Sequence, residues 1–160
     1  LPLSAAPYGY SHTAIGAFGL VGVIGALGAT GAGRWVDRGR GQTVTAMALL
    51  VLLLAWWPLS LMLVSLWALA VGIVLLDLGG QALHVSNQSM ILRAQSQAHS
   101  RMVGLYMLFY AAGSGLGAIA TTAIYARSGW SGVCVLGAVT CGVALLLWLA
   151  TRRFMPEQLR

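Results

Sequence analysis

The chain contains apolar stretches that are too long and too free of charge for an ordinary soluble domain. No charged residue occurs between Ala46 and Leu76, and 59% of the 160 residues are hydrophobic while only 8% are charged. A chain of this composition lacks the polar surface that a water-soluble globule needs. We therefore predict an all-α fold, a polytopic bundle of membrane helices whose partner is the lipid bilayer.

About five stretches reach the ~20 residues that a helix needs to cross the ~30 Å hydrocarbon layer. The predicted spans are 12–33, 43–63, 66–91, 102–125 and 130–150. Between the second and third spans, the available turn chemistry is Pro58 with Ser60 and Ser65. One oversized helix across this boundary is the alternative, but it would greatly exceed the thickness of the bilayer.

The placement of the arginines predicts which ends of the spans face the cytoplasm. The net charge is +6, and the arginines of the gaps on one predicted side are Arg34, Arg38, Arg40, Arg93, Arg101, Arg152, Arg153 and Arg160. Arg127 lies on the opposite side. The positive-inside rule then places the carboxyl terminus in the cytoplasm. Anionic lipid headgroups explain arginines in such short gaps better than nucleic acid does, so we predict no nucleic-acid partner.

The gap after the first span carries the most distinctive motif. Residues 33–41 have the sequence Gly-Arg-Trp-Val-Asp-Arg-Gly-Arg-Gly. Gly33, Asp37 and Arg38 match the Gly-x-x-x-Asp-Arg loop that joins the second and third helices of each half in the major facilitator superfamily, which the chain therefore resembles. Further likenesses are Arg101 ahead of Gly104, the glycine-rich run 113–117, and the Gly-Trp pair at 129–130. The resemblance covers nearly the whole chain.

This resemblance implies that residues 1–160 form a partial carboxyl-terminal half, helices eight to twelve of a twelve-helix transporter. The likeness is best to bacterial drug or sugar efflux members, which implies an inner-membrane location, a small-molecule substrate and no enzymatic activity or cofactor. It also implies secondary active transport, with efflux by proton antiport as two six-helix halves rock about a midplane cavity. The missing amino-terminal helices of the same transporter would be partners, so the isolated chain is expected not to transport.

The same resemblance suggests that the loop Gly33, Asp37, Arg38 and Arg40 is a conformational latch. Asp37 near a helix end can accept hydrogen bonds from backbone donors or pair with an arginine of a neighbouring helix. The second half of the motif departs from the family pattern, because Gly39, Arg40 and Gly41 replace the usual x-Gly-Arg-Arg. The alternative is a loop that only anchors the topology and turns the chain.

A polar stripe marks the third span. Asp77 is the one acid deep inside an apolar run, and Gln81, His84 and Gln88 follow at offsets that place all four on one helix face. An isolated charge in a membrane span costs about 3 kcal/mol on insertion scales, so this face should meet protein or water. It could contact substrate or respond to protons. A buried structural hydrogen-bond network is the alternative, and no Cys/His cluster has the spacing of a metal site.

Small residues predict two close helix contacts. Gly19, Gly22, Ala26 and Ala29 follow one stripe of the first span, and Gly113 with Gly117 forms a second. Such small-xxx-small patterns let helix backbones approach closely. The functional interpretation is that the helices slide or rock against each other at this contact during transport. The alternative is that the contact is static close packing.

Two other functions remain open from the sequence. The first is a non-catalytic membrane interaction or assembly subunit. The second is an integral-membrane enzyme, for which Asp77, His84 and His12 are the available raw material, although they form no recognised catalytic set.

Overall fold

The structure, a computed structural model, describes residues 22–94 and 99–154, with side chains described for 30–93 and 100–154. Within these ranges the regular structure is helical throughout. The helices are α1 (Gly22–Asp37), α2 (Gly41–Ser60), α3 (Leu66–Ala94) and α4 (His99–Thr151), followed by a 3-10 turn at Arg152–Phe154. The helices from Gly41 onward are long and apolar enough to cross a membrane. The all-α membrane helix bundle is therefore confirmed, while the limits of the spans in the bilayer stay a prediction.

Helix α4 consists of two rods joined at Gly129. This glycine has φ 62° and ψ −156°, a left-handed backbone that glycine adopts without the strain of a side chain. We call residues 99–128 the amino-terminal arm and residues 130–151 the carboxyl-terminal arm. Gly117 of the first arm and Gly137 of the second line one cavity with Trp56, so the chain doubles back at Gly129. The two arms occupy the places of the fourth and fifth predicted spans.

The break between α2 and α3 lies where Pro58, Ser60 and Ser65 predict it. Helix α2 ends at Ser60, and α3 begins at Leu66. The Ser65 hydroxyl caps α3, because its oxygen accepts a hydrogen bond from the Ala68 amide at 3.3 Å. A single oversized helix across this boundary is thus excluded.

The most extensive interface is that between α2 and α3, and two glycines of α3 make it possible. A Cβ atom added to Gly79 would lie 2.7 Å from Leu52 Cγ and 3.1 Å from the Ala48 carbonyl oxygen. One added to Gly72 would lie 2.5 Å from Leu59 Cγ. Since real Cβ atoms do not approach so closely, the backbone of α3 sits against the side chains of α2 in a way that only glycine permits.

Two buried apolar clusters lie at opposite ends of the bundle. The cluster near the α1–α2 loop consists of Val36, Val44, Ala48 and Ala82. The cluster at the other end consists of Leu59, Met62, Leu69 and Cys134. The carboxyl-terminal arm runs antiparallel to α2 between these ends: Trp130 Nε1 donates to the Leu59 carbonyl at 2.7 Å, and Trp148 Nε1 donates to Gln42 Oε1 at 2.9 Å.

Candidate functional site: an arginine-rich loop and a polar cleft

The loop between α1 and α2 is a tight helix stop built around Gly39. The Gly39 amide donates to the Val36 carbonyl at 2.9 Å, and the Arg40 amide donates to the Trp35 carbonyl at 3.1 Å. This is the hydrogen-bond pattern of a Schellman motif, which needs a left-handed residue, and Gly39 has φ 80°. Because the turn is so short, Asp37 at the end of α1 is held next to the start of α2.

Asp37 pairs with an arginine of another helix. Arg93 Nη2, on the last turn of α3, lies 3.4 Å from Asp37 Oδ1, and both side chains are exposed, at 42% and 76%. Arg40 turns instead to Trp35, with its guanidinium carbon 5.4 Å from the ring centroid. The structure thus joins the loop to the end of α3 through Asp37, while Arg38 is exposed to solvent.

A buried polar contact lies just behind this loop, and the sequence gives little sign of it. The hydroxyls of Thr45 and Ser86 lie 3.0 Å apart, and both also reach the Gly41 carbonyl, at 3.0 Å and 3.1 Å. Ser86 has no exposed surface. Burying a serine or threonine costs little free energy, because its hydroxyl can donate a hydrogen bond to a backbone carbonyl. Such residues are therefore common in apolar segments, and neither Thr45 nor Ser86 stands out in the sequence.

The predicted polar stripe of α3 lines an open cleft against the amino-terminal arm of α4. The cleft has a volume of ≈ 620 Å³, and Asp77, Gln81 and His84 line it together with Tyr106 and Tyr110. Gln88 joins this group through His84, since its Nε2 lies 3.0 Å from His84 Nε2. The four predicted residues are therefore on one face of the helix and next to one cavity.

His84 is the centre of the hydrogen bonds in this cleft. Its Nδ1 lies 2.8 Å from the Tyr106 hydroxyl, and its ring centroid is 5.5 Å from that of Tyr106 and 5.2 Å from that of Tyr110. If Gln88 donates through Nε2 to His84 Nε2, a neutral His84 donates through Nδ1 to the Tyr106 oxygen. Both ring nitrogens are then satisfied by uncharged partners.

Asp77 contrasts with its neighbours in the cleft. Its side chain is half-buried, and across 22–94 and 99–154 it makes neither a hydrogen bond nor an ion pair. No arginine or lysine is among the described residues that line the cleft. The carboxylate is thus available to a solute or a proton that enters the cleft. In the same ranges, no three His, Cys, Asp or Glu side chains are grouped to hold a metal ion.

The sequence does not single out Tyr106 and Tyr110 as site residues. They are spaced i, i+4 in the fourth span, which places two polar-tipped rings on one helix face, and this spacing is the signal that could have found them. Their position opposite His84 depends on how the amino-terminal arm packs, which spacing does not reveal.

The two predicted small-residue stripes have different surroundings. Gly19 lies outside the described residues, as do the side chains at positions 22, 26 and 29. Gly33, which continues this stripe, lies close to α3, because a Cβ added there would be 3.7 Å from Val85 Cγ1. Gly113 and Gly117 have no described atom within 4 Å of such a Cβ. A close contact at this second stripe stays a prediction for helices beyond the described part.

Comparisons with known proteins agree on one family. The family model described as Major Facilitator Superfamily matches residues 1–159. Two curated relatives, each named as an uncharacterized transporter, YgaY, come from Escherichia coli K12 and Escherichia coli O157:H7. Each is 41% identical to the chain over 146 residues, which is 91% of this chain but 37% of the length of the relative. No solved structure matches the chain.

Proposed function

Because the chain belongs to the major facilitator superfamily, we propose that it is the carboxyl-terminal part of a secondary active transporter that exports a small solute in exchange for protons. The family and the name of the relatives support solute transport, and they point to a transporter and away from an enzyme. Helices eight to twelve are the part of the family fold that the loop motif favours. We propose an efflux member of the family, of the drug or sugar type that the sequence pattern resembles.

The polar cleft is the observation that carries this proposal. Ionisable groups in membrane spans are costly and mark substrate paths and proton relays, in part because lipid cannot solvate them. Here Asp77 is half-buried without an ion pair in the described part, and His84 lies seven residues further along the same helix. A proton or a solute can therefore reach the Asp77 carboxylate without breaking a contact within the described residues. His84 extends the same polar face, with its ring nitrogens 2.8 Å from the Tyr106 hydroxyl and 3.0 Å from Gln88 Nε2.

The loop motif supports a second element of the proposal, a latch at the arginine-rich end. The Asp37–Arg93 pair ties the end of α1 to the end of α3. Opening this contact would free Asp37 and Arg93 to pair with other groups at that end, and an exchange of contacts between two arrangements is the kind of change that alternates access to a cavity. We place this end in the cytoplasm of a bacterial inner membrane, since the arginine bias favours that orientation.

The exposed apolar surface of the amino-terminal arm indicates that further helices pack against it in the complete transporter. Its large apolar side chains are uncovered, with Leu108 65%, Phe109 69% and Leu116 69% exposed. A second half of the transporter, together with lipid, would cover this surface. We therefore propose that the isolated 160-residue chain does not transport, and flux measured in liposomes that contain only this chain tests that statement.

The central test replaces Asp77 in the full-length protein that carries this chain. In everted vesicles with an imposed pH gradient, Asp77→Asn is expected to abolish the dependence of solute flux on the gradient, because the amide cannot carry a proton. Asp37→Asn makes the same chemical change at the latch, where it should alter the rate of solute flux but leave the dependence of that flux on the gradient in place. Unchanged gradient dependence in Asp77→Asn would contradict proton coupling through the cleft.

A non-catalytic interaction subunit is the competing function, and the exposed arm is the observation that favours it. The two functions differ in one measurable respect. If the full-length protein, present in the membrane at normal abundance, moves no solute from a broad panel under any gradient, the transporter proposal fails. A partner captured through the arm 99–128 would then become the better explanation.

A further inference from the structure

We infer that a cleft between the start of α2 and the end of the carboxyl-terminal arm binds the phosphate group of an anionic phospholipid. This cleft, which we call the basic cleft, has a volume of ≈ 470 Å³ and shares no lining residue with the polar cleft. Its lining residues are Gln42, Thr43, Ala46, Trp148, Arg152 and Arg153. The inference depends on the membrane location of the bundle and goes beyond the transport of a solute.

The charge of the basic cleft favours an anion. Arg152 and Arg153 supply two positive charges, and no acidic side chain is among the described lining residues. Arg152 makes neither a hydrogen bond nor an ion pair within 22–94 and 99–154. Guanidinium groups bind phosphate through paired N–H donors that match the spacing of its oxygens. A phosphate group is therefore the ligand that these two side chains suit best.

The structure holds one of these arginines in place next to α2. The guanidinium carbon of Arg152 lies 5.4 Å from the Trp148 ring centroid, and Trp148 Nε1 donates to Gln42 Oε1 at 2.9 Å. Trp148 is thus fixed to the first turn of α2, and Arg152 is held over its ring. A cation–π contact uses the charge of the guanidinium and leaves its N–H donors for other partners. The arginine is positioned before a ligand binds, which reduces the entropy that binding costs.

The wall formed by α2 adds an uncharged donor to the basic cleft. The Thr43 hydroxyl lines the cleft and makes no hydrogen bond within the described part of the chain. A hydroxyl can donate to a phosphate oxygen that the arginines leave unpaired. The donors therefore come from two different helices, and a bound phosphate would connect the start of α2 to the end of the carboxyl-terminal arm.

The position of the basic cleft favours a phospholipid over a free phosphate ion. The cleft lies at one end of two helices that are long and apolar enough to cross a membrane. Beyond it, neither 44–60 of α2 nor 130–151 of the carboxyl-terminal arm contains a charged residue. A ligand there meets positive charge at its head and uncharged helix below, and basic pockets between membrane helices bind anionic lipid headgroups in this way. A zwitterionic headgroup would bring its own positive charge close to the two arginines, so we expect an anionic one.

Native mass spectrometry of the purified full-length protein that carries this chain tests the inference. The probes are dioleoylphosphatidylglycerol, which is anionic, and dioleoylphosphatidylethanolamine, which has the same acyl chains and a zwitterionic headgroup. The parent should bind one phosphatidylglycerol about tenfold more tightly than phosphatidylethanolamine. Arg152→Gln should weaken this binding about tenfold, because a hydrogen-bonded charge pair is lost. Arg101→Gln removes the same charge from an exposed position outside the basic cleft, at the same end of the bundle, and should leave the binding unchanged.

The α2 wall gives an independent pair of variants. Thr43→Val keeps the shape of an exposed side chain and removes its hydroxyl, so it should weaken phosphatidylglycerol binding about two- to fivefold. Thr122→Val makes the same change at an exposed threonine outside the basic cleft and should have no effect on binding. A loss in both Arg152→Gln and Thr43→Val, with neither control affected, places the lipid between the two helices.

Three results would overturn the inference. Equal losses in Arg152→Gln and Arg101→Gln would show that the overall charge of this end attracts the lipid. Equal binding of the two lipids would show that the arginines do not select an anionic headgroup. Displacement of phosphatidylglycerol by an equimolar amount of inorganic phosphate would make the cleft a site for the free ion. Because lipid binding is measured without solute flux, none of these results bears on the proposed transport.

Discussion

Helix α3 has two opposite faces that differ in almost every physical respect. Gly79 and Ser86 lie on the face that packs against α2, and they are buried with no space around them. Asp77 and His84 lie about half a turn away, at 100° per residue, on the face that lines the open cleft. One face is small, dry and closely packed, while the other is polar and incompletely covered.

This difference shows how a membrane helix can combine stability with chemistry. Lipid tails are as apolar as leucine, so the hydrophobic effect does little to hold two helices together inside a bilayer, and close backbone contact must do it. The small residues of α3 provide that contact on one face. The other face is then free to carry ionisable groups, because α3 does not depend on it for its position. Stability and transport should therefore respond to different faces.

Two neighbouring glycines give the largest expected effect on stability. Gly79→Ala should destabilise the protein by about 1–3 kcal/mol, because the added methyl group would overlap Leu52 and the Ala48 carbonyl. Gly80→Ala is the matched control: a Cβ there has nothing within 4 Å, and alanine favours helix by up to about 1 kcal/mol. Thermal unfolding in detergent measures both.

The comparison of the two faces of α3 depends on which of these two variants is the less stable. Gly80 lines the cleft, so its methyl group could alter transport while leaving the melting temperature unchanged or slightly higher. If Gly79→Ala and Gly80→Ala had equal stability, the close α2–α3 contact would not be what holds α3, and the division between the two faces would fail.

Ser86→Ala should give the next effect, a loss of about 1 kcal/mol. Its fully buried hydroxyl donates to the Gly41 carbonyl and lies 3.0 Å from the Thr45 hydroxyl. The alanine variant has no hydroxyl, so the Gly41 carbonyl and the Thr45 hydroxyl each lose this hydrogen-bond partner. Ser89→Ala, one turn further along α3 at a half-buried position, should change stability by no more than about 0.5 kcal/mol. A loss in Ser89→Ala that matches the loss in Ser86→Ala would show that the buried contact adds nothing specific.

The polar face of α3 could be predicted from sequence because charge in an apolar span is rare and costly. Asp77 alone marks the face, and a helical period of 3.6 assigns Gln81, His84 and Gln88 to it. The helix break near Pro58 could be predicted for a similar reason, since proline and serine interrupt an otherwise featureless run. Both features depend on local sequence.

The packing face could not be predicted in the same way. The regular glycines of the first span draw attention, whereas the glycines that the structure packs closely against α2 are Gly72, Gly79 and Gly137, which follow no such repeat. Whether a glycine packs closely against another helix depends on which side chain of that helix lies opposite. This is set by the tertiary structure and cannot be read from the local sequence. The same holds for the Asp37–Arg93 pair, whose members are 56 residues apart in sequence.

The smallest effect on stability is expected at the end of α3, where Arg93 meets Asp37. Both side chains are exposed, and surface pairs of this kind contribute about 0–1 kcal/mol, so Asp37→Asn and Arg93→Gln should unfold close to the parent. A free energy this small still matters for a balance between two open states, because about 1 kcal/mol shifts a ratio about fivefold. We therefore expect each variant to change access to the cleft while the fold is kept.

Access can be measured by the rate at which an impermeant maleimide labels Gln81→Cys, an exposed position of the cleft, in membrane vesicles of known orientation. Neutralising Asp37 or Arg93 should change this rate up to about fivefold, and exchanging the two charges in the double variant Asp37→Arg/Arg93→Asp should return it toward the parent. The parent with Gln81 intact corrects for the native thiols Cys134 and Cys141. Equal labelling rates in all of these proteins would make the loop a static anchor, because a contact that biases neither state cannot act as a latch.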